Sequence, residues 1–252
     1  MSEILSRRTL RTEVALVLLL SLGASGIWAL LRIINLLTSH VSLASQTATM
    51  IGSITPDRPW LDLTYQLVGI ALALVPVALV AHLLQRSGEG MSGIGFDGHD
   101  ARRDGVRGSL VAAVVGGSGL GLYLVAWNLG WNVHLVVSAL GPVWWAIPVL
   151  ILAAVENAVL EETIVLGYLL HRLDQLGAKP KIALVGSSLL RGSYHLYQGL
   201  GGFFGNFAMG LIFGVCYRKW GRVMPLVIAH SVMDAVAFIG YQTMHGHVSW
   251  LP

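Results

Sequence analysis

Seven long apolar blocks dominate the chain, at about Val14 to Leu37, Leu63 to Leu84, Leu110 to Leu129, Val143 to Leu170, Ile182 to Leu200, Phe203 to Tyr217 and Val223 to Met244. A helix needs about 20 apolar residues to cross the roughly 30 Å hydrocarbon core of a bilayer, and in lipid its backbone hydrogen bonds must close within the segment. The blocks therefore predict an all-α fold, a polytopic transmembrane helical bundle of seven to eight spans, as a single integral membrane domain over residues 1–252. The fourth block is long enough to tilt, kink or break. With 55% hydrophobic residues, 12% charged residues and a mean hydropathy of +0.70, a water-soluble enzyme is excluded. Arg7, Arg8 and Arg11 ahead of the first block imitate a secretory signal, but the apolar run continues past Ala24, Ser25 and Gly26 to Leu37, so we read an uncleaved first span.

Thirteen of the 16 basic residues fall in alternate connections: Arg7, Arg8 and Arg11; Arg86, Arg102, Arg103 and Arg107; Arg172, Lys179 and Lys181; Arg218, Lys219 and Arg222. By the positive-inside rule that side is cytoplasmic, which places the N-terminus in the cytoplasm and the chain, in expectation, in the plasma membrane. The net charge of +3 then reflects orientation in the lipid bilayer, and no nucleic-acid partner is expected. The single cysteine, Cys216, excludes an intrachain disulfide and a cysteine-based metal site. Four-residue glycine spacings at Gly117 and Gly121, Gly201 and Gly205, and Gly210 and Gly214 point to close helix packing. Residues Gly88 to Gly108 show no apolar periodicity and read as a solvated cytoplasmic loop, not a nucleotide site.

Ionisable residues inside the apolar blocks carry the chemistry: Glu156, Glu161 and Glu162 in the fourth, Arg191 and His195 in the fifth, His230 and Asp234 in the last. Each charge at mid-bilayer costs about 2.5 to 3.5 kcal/mol unless it is paired or wetted, so these groups must face one another or a polar cavity. At about 1.5 Å per residue from the basic end of its block, Glu162 lies about 15 Å deep, Arg191 about 15 Å, His195 about 21 Å, and His230 and Asp234 about 12 and 18 Å. Asn157 with Glu161, Arg191 with His195, and His230 with Asp234 repeat at i and i+4, so each helix presents its pair on one face. Three polar faces at one depth predict a shared pocket.

Two chemistries fit such a pocket. A glutamate can serve as general base on a water, with histidines binding that water or an oxyanion. Alternatively, His195, His230 and a carboxylate can ligate zinc and activate the same water. Both lead to hydrolysis. A structural reading, in which the groups only satisfy one another, suits one buried pair better than seven residues at one depth.

The strings EETIVLGYLLHRL, RGSYHLYQG, GNFAMGLIFG and HSVMD resemble, in type, order and spacing, the four motifs of the CPBP family, the CAAX-protease and bacteriocin-processing intramembrane proteases also called Abi proteins. The resemblance covers residues 156–238, a protease-like motif core. It implies an intramembrane glutamic endopeptidase in which Glu161 and His195 activate water while His230 and Asp234 bind water or stabilise the oxyanion. Glu162, Arg191 and Asn157 support them. No resident cofactor is implied, although the donor set admits zinc. The implied partner is a membrane-associated or membrane-embedded protein or peptide substrate. A non-catalytic immunity, scaffold or proton-relay protein of the same fold is the alternative. Two positions depart from the family pattern. Leu166 stands where an arginine is usual four residues after the second glutamate, and Arg191 stands where the second motif usually has an aromatic residue. We expect the charge to have moved between helices, so that Arg191 pairs with Glu162 and leaves Glu161 as the base. Restoring arginine at Leu166 is then expected to compensate for loss of Arg191.

Overall fold

The computed structural model describes residues 6–245 and 247. Among them the chain forms eight helices and two short strands. Helices α1 (Arg7–Leu19) and α2 (Leu22–Thr38) are followed by strand β1 (Thr47–Gly52), α3 (Pro59–Arg86), α4 (Ala101–Asn128) and strand β2 (His134–Ala139). Helix α5 starts as Ala146–Glu161 and runs on without a break through a π-helical stretch, Glu162–Leu170, into a last turn, His171–Gln175. Three helices complete the fold: α6 (Pro180–Tyr194), α7 (Leu200–Trp220) and α8 (Met224–Met244).

All seven apolar blocks are thus helical, and the all-α bundle expected from them is what the chain forms. By length and composition, α3, α4, α7 and α8 qualify as membrane spans among the described residues, and α1 with α2, bent by 52° at their junction, makes up to five if that pair is one broken span. This is fewer than the seven to eight read from sequence. The shortfall lies in α5, which carries three carboxylates, and in α6, which ends after 15 residues because His195 leaves helical geometry (φ −97°, ψ 1°).

The centre of the bundle is α5. Every residue of its π-helical stretch is buried, and Ile164, Val165, Leu166 and Leu170 share one core with Val17, Val80, Leu84, Phe213 and Leu226 from four other helices. Helices α6 and α7 cross closely because Gly210 and Gly214 lie against Ser188 and Leu184, whereas Gly117 and Gly121 face no neighbour within 4 Å among the described residues. Only part of the expected glycine packing is therefore realised.

Two connections differ from expectation. The stretch Gly88 to Gly108 is not a plain solvated loop: a 3-10 turn, Met91–Ile94, drives Ile94 fully into the core against Gly167 of α5, where a β-carbon would come within 2.7 Å of the isoleucine. The backbone N–H groups of Val223 and Met224 donate to Ile94 and Gly95, fastening this segment to the start of α8. Met91, Ile94 and Phe96, scattered among glycines, have no regular period to reveal the burial. The other surprise is a parallel pairing of β1 with β2, in register Thr47 with His134 to Gly52 with Ala139, between segments that sequence reading left as connections.

Basic residues gather at the opposite end of the bundle from these strands, as their alternation requires. There Arg86 pairs with Glu13, the buried Arg172 with Glu89 at 2.8 Å, Arg218 with Asp174 at 3.0 Å, and Arg222 with both Asp104 and Asp97 at 2.7 and 2.9 Å. Partial burial pushes the Glu89 carboxyl up, but hydrogen bonds from Gln175, His171 and Arg172 outweigh it and hold the group at about 2.

Candidate active site

Three helices deliver the embedded polar residues to one place. On α5, Glu161 ends the regular helix and Glu162 opens the π-helical stretch, a widening that commonly marks functional positions in helices. Both glutamates are buried. On α6, Arg191 is fully buried and His195 sits just past the last turn. On α8, His230 is buried and Asp234 is half-buried one turn further on.

Glu161 is held asymmetrically. Its Oε2 accepts a 2.7 Å hydrogen bond from the Tyr194 hydroxyl and lies 3.5 Å from Arg191 Nη1, while Oε1 faces His195 Nε2 at 3.7 Å. Gln198 Nε2 donates to His195 Nδ1 at 3.2 Å, which places the imidazole proton on Nε2, the nitrogen that looks at Glu161. That Nε2 has no hydrogen-bond partner of its own among the described residues. One carboxylate oxygen is therefore fixed and the other is free to accept a proton.

Glu162 is held differently. Both of its oxygens lie 2.7 Å from Arg191 Nη2, and its Oε1 also meets His230 Nδ1 at 2.7 Å. The interhelix pair of Arg191 with Glu162 is thus present, with one refinement: the same guanidinium also approaches Glu161, so one cation serves both carboxylates. Phe213 lies under it, its ring centroid 5.6 Å away. Leu166 is fully buried and packs beside Gly214 of α7.

His230 lies between two carboxylates, with Nε2 3.4 Å from Asp234, and Asn157 Nδ2 donates to the same Asp234 oxygen at 2.8 Å. A cavity of about 190 Å³ opens in front of these groups, lined by Asn157, His195, His230 and Asp234 together with Gln198 and Asn206. Met50, Leu135 and Val137 of the two strands close its other side. Glu156 has no hydrogen-bond partner among the described residues. Sequence reasoning missed Tyr194 and Gln198, although each neighbours His195 within one motif, and it missed the strand residues altogether.

Among the described residues, one group could hold a metal ion: Glu161, Glu162 and His230, with ligand atoms within 4.8 Å of one another. A zinc ion would have to replace the Arg191 guanidinium on Glu162, since both oxygens of that carboxylate are already engaged by it. His195 lies outside the group. A dication beside a buried arginine is a poor electrostatic fit, so these residues do not fit zinc as they stand.

Residues 142–236 match the family model described as type II CAAX prenyl endopeptidase Rce1-like, which bears out the resemblance to CAAX proteases read from the motifs. No curated protein and no solved structure matches the chain.

Proposed function

From this match and the geometry of the site, we propose that the chain is an intramembrane endopeptidase of the CAAX-protease type that hydrolyses peptide bonds without a metal. The observation that carries the proposal is the pair of Glu161 Oε1 and His195 Nε2, facing each other at 3.7 Å, with the second glutamate oxygen held by Tyr194. A water in the adjoining cavity gives one proton to Glu161 Oε1 and attacks the scissile carbonyl. His195 Nε2–H, aimed by Gln198, donates to the developing oxyanion, a role that rewards a donor fixed in advance. Glu161 then passes its proton to the leaving amine. Asp234 does not act as an oxyanion donor: the amide of Asn157 holds it, and it orients His230. Arg191 keeps two neighbouring carboxylates tolerable in one dry site.

With the basic end cytoplasmic and the N-terminus inside, the chain sits in the plasma membrane and its cavity opens on the side where β1 and β2 lie. The substrate is a membrane-associated peptide or protein, and a prenylated carboxyl-terminal segment is the first class to try, given the family match. Comparing the membrane peptidome of cells producing the parent chain with that of cells producing Glu161→Gln tests the proposal. Peptides present only with the parent support it, and identical peptide sets at equal expression contradict it.

A further inference from the structure

A peptide bond inside a helix has its carbonyl engaged in the helix ladder, so a protease must unwind its substrate, and unwound backbone in lipid leaves groups that cost several kcal/mol each if unmet. The small sheet beside the cavity has unmet groups of its own. His134 N–H donates to Gln46 O, and with the parallel register this phase commits the backbone groups of His134, Val136 and Ser138 to the ladder with β1. Those of Leu135 and Val137 must then point to the other edge of β2. That this edge looks away from β1 is shown just upstream, where Val133 N–H donates to Gln198 O and Asn132 pairs antiparallel with Gly199. Gly199 reaches this position with φ of +102°, where a β-carbon would strike Trp131 O at 2.5 Å. A third strand is therefore begun by Gln198 and Gly199 and goes no further.

Downstream the edge is closed again, because Gln242 of α8 accepts from the Ser138 hydroxyl and donates to Leu140 O. Between these two fixed ends, the backbone N–H and C=O groups of Leu135 and Val137 have no hydrogen-bond partner among the described residues. Leu135 and Val137 are also the β2 residues that line the cavity with His195, His230 and Asp234. Resting on the protease reading above, we propose that the open edge of β2 binds the extended segment of the substrate as an added strand and holds the scissile bond before Glu161. Strand addition supplies affinity through main-chain bonds and specificity through alternate side chains. Met50, Leu135 and Val137 share one face of the sheet and form the apolar wall that every second substrate side chain would meet.

The probe is an internally quenched peptide with a farnesylated cysteine followed by three further residues at its carboxyl terminus, in a series carrying one backbone N-methyl group at successive positions. Dissociation constants are measured by fluorescence anisotropy against full-length Glu161→Gln in detergent, and cleavage against the parent. A bound strand turns every second N–H to its partner, so N-methylation should weaken binding about tenfold at alternate positions and little between them. Val137→Pro removes an edge N–H without touching the ladder to β1 and should flatten that alternation. Thr49→Pro makes the same lesion on the far edge of β1, away from the cavity, and should leave it intact. Cleavage by the parent with no two-residue alternation would overturn the strand site while sparing the protease reading. Alternation in binding with no cleavage would do the reverse, and no binding of the peptide would overturn both.

Discussion

Arg191 is the residue whose removal the structure penalises most sharply. It is fully buried, one of its nitrogens lies 2.7 Å from each Glu162 oxygen, and another lies 3.5 Å from Glu161. Arg191→Leu keeps an apolar side chain in the space but leaves two adjacent buried carboxylates without their cation. Breaking a buried pair by removing one partner costs about 3 to 5 kcal/mol. In a chain of this size each kcal/mol shifts Tm by about 2 to 4 °C, so a drop of about 6 to 20 °C is expected. Thermal unfolding in detergent, followed by tryptophan fluorescence, reads it. Glu162→Gln in the Arg191→Leu background removes one stranded charge and should recover most of the loss. Leu166→Arg should not: Leu166 is packed beside Gly214, and a longer, charged side chain there overpacks the α5 to α7 contact at about 1 to 3 kcal/mol. This revises the compensation expected from the family pattern alone. An Arg191→Leu protein melting within about 2 °C of the parent would refute the argument, because the pair would then carry none of the energy assigned to it.

Other consequences are equally direct. Tyr194→Phe frees the fixed oxygen of Glu161 and should lower kcat about tenfold with KM little changed, as steady-state cleavage kinetics would show. Gln198→Leu removes the bond that sets the His195 tautomer and should reduce cleavage less than His195→Ala does. Because Glu89 titrates at about 2 in the folded chain and near 4.5 when unfolded, its contribution to stability is fully present above about pH 4.5 and fades as pH falls toward 2. Glu89→Gln should flatten that part of the melting profile. In a chain with Cys216 replaced by alanine, a cysteine at Ser45 should react with a membrane-impermeant maleimide on intact cells and one at Arg103 should not; the reverse would invert the orientation proposed for the site.

Much of this architecture was legible in the sequence because lipid leaves a chain few choices. Seven apolar blocks had to be helices, and charges inside them had to face one another or a cavity, so Glu161, Glu162, Arg191, His195, His230 and Asp234 could be collected from spacing alone, whereas Glu156, grouped with them by the same reasoning, makes no hydrogen bond among the described residues. The different settings of the two glutamates were not legible. They depend on the π-helical stretch starting at Glu162 and on the end of α6 at His195, and both are tertiary outcomes that i and i+4 counting cannot express. The strands left a faint signal, since HLVVSA and TATMIG contain the β-branched residues that favour extended chain. Each is too short, and too close to apolar helix blocks, for periodicity to separate it from a loop. Ile94 illustrates the same limit, since its burial follows from the neighbouring Gly167 and not from anything in its own segment.

The central claim is that Glu161 is the base of a peptidase. Its most direct test is cleavage of the internally quenched farnesylated peptide by purified protein in proteoliposomes, comparing the parent with Glu161→Gln. The substitution keeps size and hydrogen bonding but cannot take up the proton of the attacking water, so hydrolysis should fall about a hundredfold or more while melting stays close to the parent's. Equal cleavage by the two proteins, or a loss matched by a collapse in stability, would contradict the role assigned to Glu161.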